Sequence, residues 1–116
     1  MKNRLQLRVP IQIPVRVKVV DLDQEFKLTA LYDISWGGVF VKMNPPAPLG
    51  SRIIIQFLVS DKSVSLELWG TVVRAIKGSK QEPAGVGVEF DQLDEDSRSL
   101  IQRLVHEEIS MLVKNV

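Results

Sequence analysis

The sequence predicts a mainly β protein, a small antiparallel six-stranded β-barrel followed by one C-terminal α-helix. Apolar and polar residues alternate with a period of two through most of the chain as far as Phe90, and Gly, Pro and polar residues separate the alternating runs. After Phe90 the apolar spacing changes to three and four residues. Several short strands before one amphipathic helix favour a barrel that the helix plugs or flanks. The 116 residues are predicted to form a single domain with one modest core.

The first predicted strand runs from Leu5 to Val19, where every odd position is apolar and the even positions are polar or proline. This alternation directs one face of the strand to the core and the other to water. Pro10 and Pro14 cannot donate hydrogen bonds to a neighbouring strand. We therefore expect this strand to be an edge strand, or to be bent and interrupted at the prolines.

Five further strands are predicted, each bounded by turn residues. They span Phe26–Ile34, Val39–Met43, Ile53–Val59, Val64–Ile76 and Gly85–Phe90. Gly37 and Gly38 separate the first two of these strands, and the proline-rich segment Asn44–Gly50 forms a rigid loop.

One amphipathic helix is predicted from about Asp94 to Lys114. Acidic residues at positions 94–96 suit the first turn of a helix, where the helix dipole favours negative charge. Apolar residues then recur at helical spacing. They are Leu100, Ile101, Leu104, Val105, Ile109 and Leu112. His106 is expected on the helix surface.

Composition excludes several classes of protein. The net charge of +1 provides no general attraction to nucleic acid or to a membrane. The absence of cysteine excludes disulfides and thiolate metal sites, and one histidine is too few for a histidine-based metal site. No apolar run reaches the roughly 20 residues that span a bilayer. We predict a soluble cytoplasmic protein with no cofactor, no metal and no membrane insertion.

Two short motifs point to function. Arg4 and Arg8, in an N-terminal arm of residues 1–8, fall on one face of a strand and present two planar guanidinium groups suited to phosphates and base faces. The segment Asp33–Gly38 places an Asp, a Ser and two glycines at a strand end, where the backbone can approach a ligand. Each motif alone fits a solvated surface or a tight turn. Together they predict a small nucleotide-binding site without catalytic machinery.

These motifs resemble the two signatures of the PilZ family, RxxxR and [D/N]xSxxG. Arg4, Arg8, Asp33, Ser35 and Gly38 stand at the signature positions. The resemblance extends over essentially the whole chain, through the segments Val9–Ile11, Gly38–Val41, Trp69–Arg74 and Gly85–Phe90. It implies a six-stranded barrel and a bacterial receptor for the second messenger cyclic di-GMP.

The resemblance also implies a role for each signature residue. The two arginines would contact phosphate oxygens or guanine O6 and N7, and would stack on the bases. Asp33 would accept hydrogen bonds from guanine N1–H and N2–H, and Ser35 would bind a phosphate or a base edge. Gly37 and Gly38 would allow the backbone to approach the ligand.

Four other residues are candidates for the same site. Trp36, inside the glycine turn, either caps the barrel rim or forms a wall beside the ligand. Trp69 has the parity of its polar neighbours and is expected to face outward, as a lid or a contact surface. Arg74 and Lys2 are candidates to add positive charge to the phosphate contacts.

Other functions fit the sequence less well. Ser35 and Asp33 lack a suitably placed base, so we predict that the protein is not an enzyme. A single-stranded RNA-binding barrel would need a basic, aromatic-rich face, whereas aromatic residues make up 6% of this chain. A PilZ-like module that acts only through protein contacts stays open as an alternative. The sequence favours a receptor that binds cyclic di-GMP without transforming it and signals to an unidentified protein partner. It leaves the regulated process and the oligomeric state open.

Overall fold

The computed structural model describes residues 9–10, 13–22, 24–35, 37–59 and 63–114. Within these ranges the chain forms seven strands and one helix. They are β1 (Val9–Pro10), β2 (Pro14–Val19), β3 (Lys27–Ile34), β4 (Gly38–Lys42), β5 (Arg52–Val59), β6 (Ser63–Ile76), β7 (Gly85–Phe90) and α1 (Glu95–Lys114).

The strands close into the predicted antiparallel barrel. Their order around the barrel is β3, β2, β5, β6, β7 and β4, and pairing of β4 with β3 completes the circle. The short β1 pairs with β3 through Val9 with Ile34 and Pro10 with Asp33, and β2 pairs with β3 further along, from Pro14 with Ala30. Because β1 and β2 lie along the same strand, they are two parts of one barrel strand, and the predicted six-stranded barrel is confirmed.

The prolines interrupt the first strand, as one of the two expectations for it stated. Pro14 is the first residue of β2, a position where a missing N–H is tolerated. The other expectation, an edge strand, is wrong for β2, which pairs with β3 on one side and β5 on the other.

The core fills the inside of the barrel and is sealed on one side by α1. The apolar residues of β2 that alternate with charged ones, Val15, Val17 and Val19, are buried as predicted. Ile101 and Val105 of α1 have no exposed surface and join the same core cluster. The helix therefore contributes directly to the core through the apolar face that its spacing predicted.

The third strand departs from a simple alternation of apolar and polar faces. Leu28 is 69% exposed and Tyr32 is 41% exposed, whereas Leu31 and Ile34 are fully buried. The pairing of β3 with β4 shifts register between Leu31 and Asp33, which marks a β-bulge. The bulge lets two residues three positions apart face the core, and it lies immediately before the glycine turn.

The helix begins where the sequence predicts. Asp94 precedes the first helical residue, and its Oδ1 accepts a hydrogen bond from the backbone N–H of Ser97 at 2.8 Å. This is the contact of an N-cap residue, and Glu95 and Asp96 follow in the first turn. The hydrogen bond to Ser97 lowers the pKa of Asp94. His106 is exposed on the helix, and no helix among the described residues is long and apolar enough to cross a membrane.

We predict that Asp94→Ala lowers the melting temperature at neutral pH, because it leaves the Ser97 N–H without its side-chain acceptor. Asp94→Asn retains a capping oxygen and should preserve more stability. Because the pKa of Asp94 is lowered in the folded protein, its charge stabilises the fold above the ordinary value of 3.8, and this contribution disappears as the pH falls through the folded pKa. The three proteins are compared by thermal unfolding at neutral and acid pH. A neutral-pH deficit of Asp94→Ala that persists undiminished in acid would contradict this account.

Candidate functional site

A tight turn joins β3 to β4 and contains the serine and glycines of the second motif. The backbone N–H of Ser35 donates to the carbonyl oxygen of Gly38 at 2.9 Å, and its Oγ donates to the same oxygen at 3.3 Å. Ser35 is 1% exposed. Its hydroxyl therefore holds the turn together from inside. Its predicted contact with a ligand stays a prediction, and Trp36 lies outside the described residues.

The turn rests directly on β7. The N–H of Phe90 donates to the carbonyl oxygen of Gly37 at 3.0 Å, and Gly38 is the pairing partner of Glu89. A Cβ atom at Gly38 would overlap the carbonyl oxygen of Val88. Gly38 is thus required by the close approach of two backbones, independently of any ligand.

Asp33 lies next to the point where the N-terminal segment joins the barrel. It pairs with Pro10 of β1 on one side and with Phe40 of β4 on the other. The residue is half-buried, and its Oδ1 atom is shielded from solvent. Pro10 follows Arg8, the last residue of the first motif, by two residues in the sequence. Arg4, Arg8 and Lys2 themselves lie outside the described residues.

Trp69 faces outward on β6, as its parity predicted, and is 41% exposed. Its carbonyl oxygen accepts a hydrogen bond from the N–H of Asp91 at 2.9 Å, just beyond the end of β7. Since Gly38 pairs with β7 and β7 pairs with β6, Trp69 lies two strands from the turn, roughly 10 Å across the sheet. It shares the outer rim of the barrel with the second motif.

An ion pair supports the indole of Trp69. The Arg52 guanidinium donates to both carboxylate oxygens of Asp91, at 2.8 and 2.6 Å, and also to Thr71 Oγ1 at 2.9 Å. Its Cζ lies 5.8 Å from the centroid of the Trp69 ring, within range of a cation–π contact. The hydrogen bonds from Arg52 lower the pKa of Asp91, so the carboxylate stays ionised. Its negative charge balances the positive charge of the Arg52 guanidinium. Sequence reasoning missed Arg52 and Asp91, because cross-strand register brings them together over 39 positions.

Arg74 lies on β6 like Trp69, but nearer to the end of that strand at Ile76. It pairs with Gly87 of β7, which pairs with Phe40 of β4, the neighbour of Asp33. Arg74 therefore lies two strand spacings from β4, as Trp69 does, but five residues further along β6, towards the loop that leads into β7. The Arg74 guanidinium lies 3.9 Å from a carboxylate oxygen of Glu82. The structure brings Asp33, Ser35, Gly37 and Gly38 together, places Trp69 on the same rim and leaves Arg74 outside this group.

Three kinds of group meet on this rim. They are the half-buried Asp33 carboxylate, the half-buried Gly37 of the turn and the exposed Trp69 ring. These groups can accept hydrogen bonds and stack on planar rings. Among the described residues, no group of three or more His, Asp or Glu side chains is placed to hold a metal ion.

Fold and site together define a small antiparallel barrel domain that carries the second motif and an exposed tryptophan on one rim. Comparison with protein families identifies the family within this class, since a model of the PilZ domain matches residues 2–107. The chain therefore belongs to the PilZ family.

Solved structures agree with this fold. The PilZ domain of YcgR from Escherichia coli, solved with c-di-GMP, has a TM-score of 0.69 at 16% identity, with 98% of this chain and 97% of that chain covered. The PilZ domain of CeSA from a cellulose-synthesizing bacterium has a TM-score of 0.63 at 27% identity, over 87% of this chain and 96% of that chain. The inhibitor of motility MotI/DgrA of Bacillus subtilis has a TM-score of 0.70 at 16% identity. The match covers 95% of this chain but 53% of MotI, so the chain spans about half of that protein. No curated protein sequence matches the chain.

We predict that Gly38→Ala lowers the free energy of unfolding of the ligand-free protein by about 1–3 kcal/mol, because the added methyl overlaps the Val88 carbonyl. Gly87→Ala is the matched control, since its Cβ would meet only the side chain of the exposed Arg74, at 3.2 Å. Urea unfolding of both variants measures the difference. Equal stability of Gly38→Ala and the parent protein would show that this glycine is not required by packing.

Proposed function

We propose that this PilZ protein is a receptor for cyclic di-GMP. The observation that carries the proposal is the pairing of β1 with β3, in which Pro10, two residues after Arg8, lies opposite Asp33. This register supports the idea that both signature motifs act on one ligand. A dianionic nucleotide with two guanines requires both kinds of group, cations for its phosphates and acceptors for its base edges.

The proposed contacts follow from the chemistry of each side chain. Arg4 and Arg8 bind phosphate oxygens or the O6 and N7 atoms of guanine, and their planar groups stack on the bases. Asp33 accepts hydrogen bonds from guanine N1–H and N2–H. Lys2 adds a further positive charge. We do not assign Arg74 to the first contacts, because its guanidinium lies beside Glu82, in the loop that leads into β7 at the end of that strand away from the turn.

The turn and the outer rim complete the proposed site. Gly37, which is half-buried, leaves room for the ligand to approach the backbone, whereas the space beside Gly38 is filled by β7. Ser35 keeps the turn in shape through its bonds to the Gly38 carbonyl. Trp69 offers a ring for stacking beside the turn, together with Trp36. Exposed aromatic rings on a ligand rim favour planar bases over simple phosphates.

Binding without chemistry means that the receptor acts through its surface. The protein binds cyclic di-GMP, the groups around the arginine motif take up new partners, and a protein partner recognises the changed surface. The bacterial, cytoplasmic setting that such a messenger implies belongs to this proposal.

We predict that Arg8→Ala and Asp33→Asn each weaken binding of cyclic di-GMP by about 2–3 kcal/mol or more, since each removes a charged partner of the ligand. Isothermal titration calorimetry measures the affinity. Arg103→Ala, which changes an exposed arginine of α1, is the matched control and should bind like the parent protein. Thermal unfolding shows whether each variant keeps its fold. Unchanged affinity in both site variants would remove the proposed site, and the absence of any binding by the parent protein would favour a PilZ module that acts through protein contacts alone.

We also predict a preference for cyclic di-GMP over cyclic di-AMP of about tenfold or more, since one lost polar match corresponds to ~1.4 kcal/mol. Adenine lacks the paired N1–H and N2–H donors that Asp33 would accept. Competition titrations on the parent protein and on Asp33→Asn provide the test, and the preference should shrink in the variant. Identical affinities of the parent protein for both nucleotides would exclude Asp33 from base recognition.

A further inference from the structure

A cavity of about 650 Å³ opens at the other end of the barrel from the Ser35–Gly38 turn. Strand β4 begins at Gly38 in the turn and ends at Lys42 in the cavity wall, so the two sites occupy opposite ends of one strand. The connection between β2 and β3 forms one wall and the proline-rich loop after β4 forms the other. Mouths of β-barrels are frequent binding sites, and this volume is typical of one.

The cavity has an apolar floor and an apolar rim. Val17 and Val19, at 5% and 8% exposure, form part of the floor, where Met43 also packs against the core. Leu22 and Leu28 line the cavity but are 44% and 69% exposed. Exposed apolar side chains that continue a concave apolar surface mark a candidate interaction site.

Lysines outnumber carboxylates among the described residues that line the cavity. Lys18, Lys27 and Lys42 line the cavity, and Glu25 is the one carboxylate among its described lining residues. Neither Lys27 nor Lys42 forms an ion pair with any described residue. The two ammonium groups are therefore available to an acidic partner.

The walls are rigid before anything binds. Pro45, Pro46 and Pro48 form one side and Pro83 another, and proline restricts the backbone while offering no N–H group. Thr29 Oγ1 donates to the carbonyl oxygen of Lys42 at 2.8 Å, which ties β3 to the end of β4 at the cavity edge. A preformed pocket reduces the entropy lost when a partner is ordered.

We infer that this cavity is a docking site for a short acidic segment of a partner protein, which inserts a leucine or an aromatic side chain between the proline loop and the β2–β3 connection. An apolar anchor in a pocket with a charged rim is the usual arrangement of a protein contact. A peptide fits better than a small molecule, because the apolar lining continues to the outer edge of the cavity through the exposed side chains of Leu22 and Leu28. The site lies apart from the rim that carries Asp33 and Trp69, so docking does not depend on the proposed nucleotide binding.

The test is a selection of random peptides, about twelve residues long, displayed on phage and offered to the full chain. The enriched peptides are then tested on Leu28→Asp, which should no longer bind them. The expected consensus is a leucine or aromatic residue flanked by Asp or Glu. A synthetic consensus peptide should bind the parent protein in calorimetry with equal affinity with and without cyclic di-GMP. Its affinity should fall about tenfold in Lys27→Glu and should weaken with added salt.

Two matched controls make the outcome specific. Val73→Asp changes another exposed apolar residue, 56% exposed on β6 outside the cavity, and Arg103→Glu reverses a charge on α1. Both should bind the peptide like the parent protein. Basic consensus peptides, or equal binding to Leu28→Asp and Val73→Asp, would overturn the proposal. The proposal would also be overturned if the selection enriched no peptide and laurate, a small anionic amphiphile, bound to the parent protein but not to Lys27→Glu. The cavity would then take a small molecule of that kind. These outcomes leave the cyclic di-GMP titrations unaffected, so the two proposals fail separately.

Discussion

The close approach of β4 and β7 is the constraint on which the rest of the structure depends. A six-stranded barrel is narrow, and these two strands meet with so little space that a Cβ at Gly38 would overlap the Val88 carbonyl, and one at Gly85 the Val41 carbonyl. The two glycines lie near opposite ends of the same strand pair, with Gly38 beside Glu89 and Gly85 beside Lys42. Larger side chains there would push the strands apart, and the pairing of β3 with β4 that closes the barrel would be strained as well.

The pairing of β4 with β7, here called the seam, also fixes the positions of two surfaces relative to each other. They are the rim that carries the Ser35–Gly38 turn and the apolar cavity at the other end of the barrel. At one end, Gly37 and Gly38 hold the Ser35 turn against Phe90, and β7 continues the contact to β6 and Trp69. At the other end, Lys42 leads into the wall of the apolar cavity. A strand of five residues spans roughly 17 Å. Since both ends belong to one hydrogen-bonded seam, a ligand on the rim and a peptide in the mouth can bind at once without contact.

The sequence predicted those parts of the fold that depend on local periodicity. The alternation in β2 identified Val15 and Val17 as core residues, and the change to helical spacing placed α1 within one residue of its observed start. The pattern of apolar and polar residues did not predict which side chains are buried where the register between neighbouring strands decides this. The bulge after Leu31 buries that residue and exposes Tyr32, because pairing with β4 shifts there. No pattern within one strand could predict this shift.

The candidate site was likewise predictable where it depends on local sequence, and not where it depends on strand order. The glycine turn and the outward face of Trp69 followed from turn chemistry and parity. The Arg52–Asp91 pair beneath Trp69 did not, because its members come from β5 and from the segment after β7 and meet only through the order of strands in the barrel. The cavity at the mouth escaped sequence reasoning for a similar reason. Its walls come from separate loops, and Leu28 is recognisable as exposed only once the register of β3 is known.

The structure also separates the residues of the second motif by the reason for which the chain needs them. Ser35 is buried and donates to the Gly38 carbonyl, and Gly38 allows β7 to pass. Both would be required in a barrel of this shape whether or not it bound a nucleotide, so their presence is weak evidence for binding. Asp33 differs, because the backbone pairing of β3 with β1 and β4 does not require a carboxylate at that position. Nor does that pairing require the two arginines of the first motif. The case for a cyclic di-GMP receptor therefore depends on Asp33 together with Arg4 and Arg8, and a related barrel that kept only the serine and the glycine would keep the fold without the reason to bind.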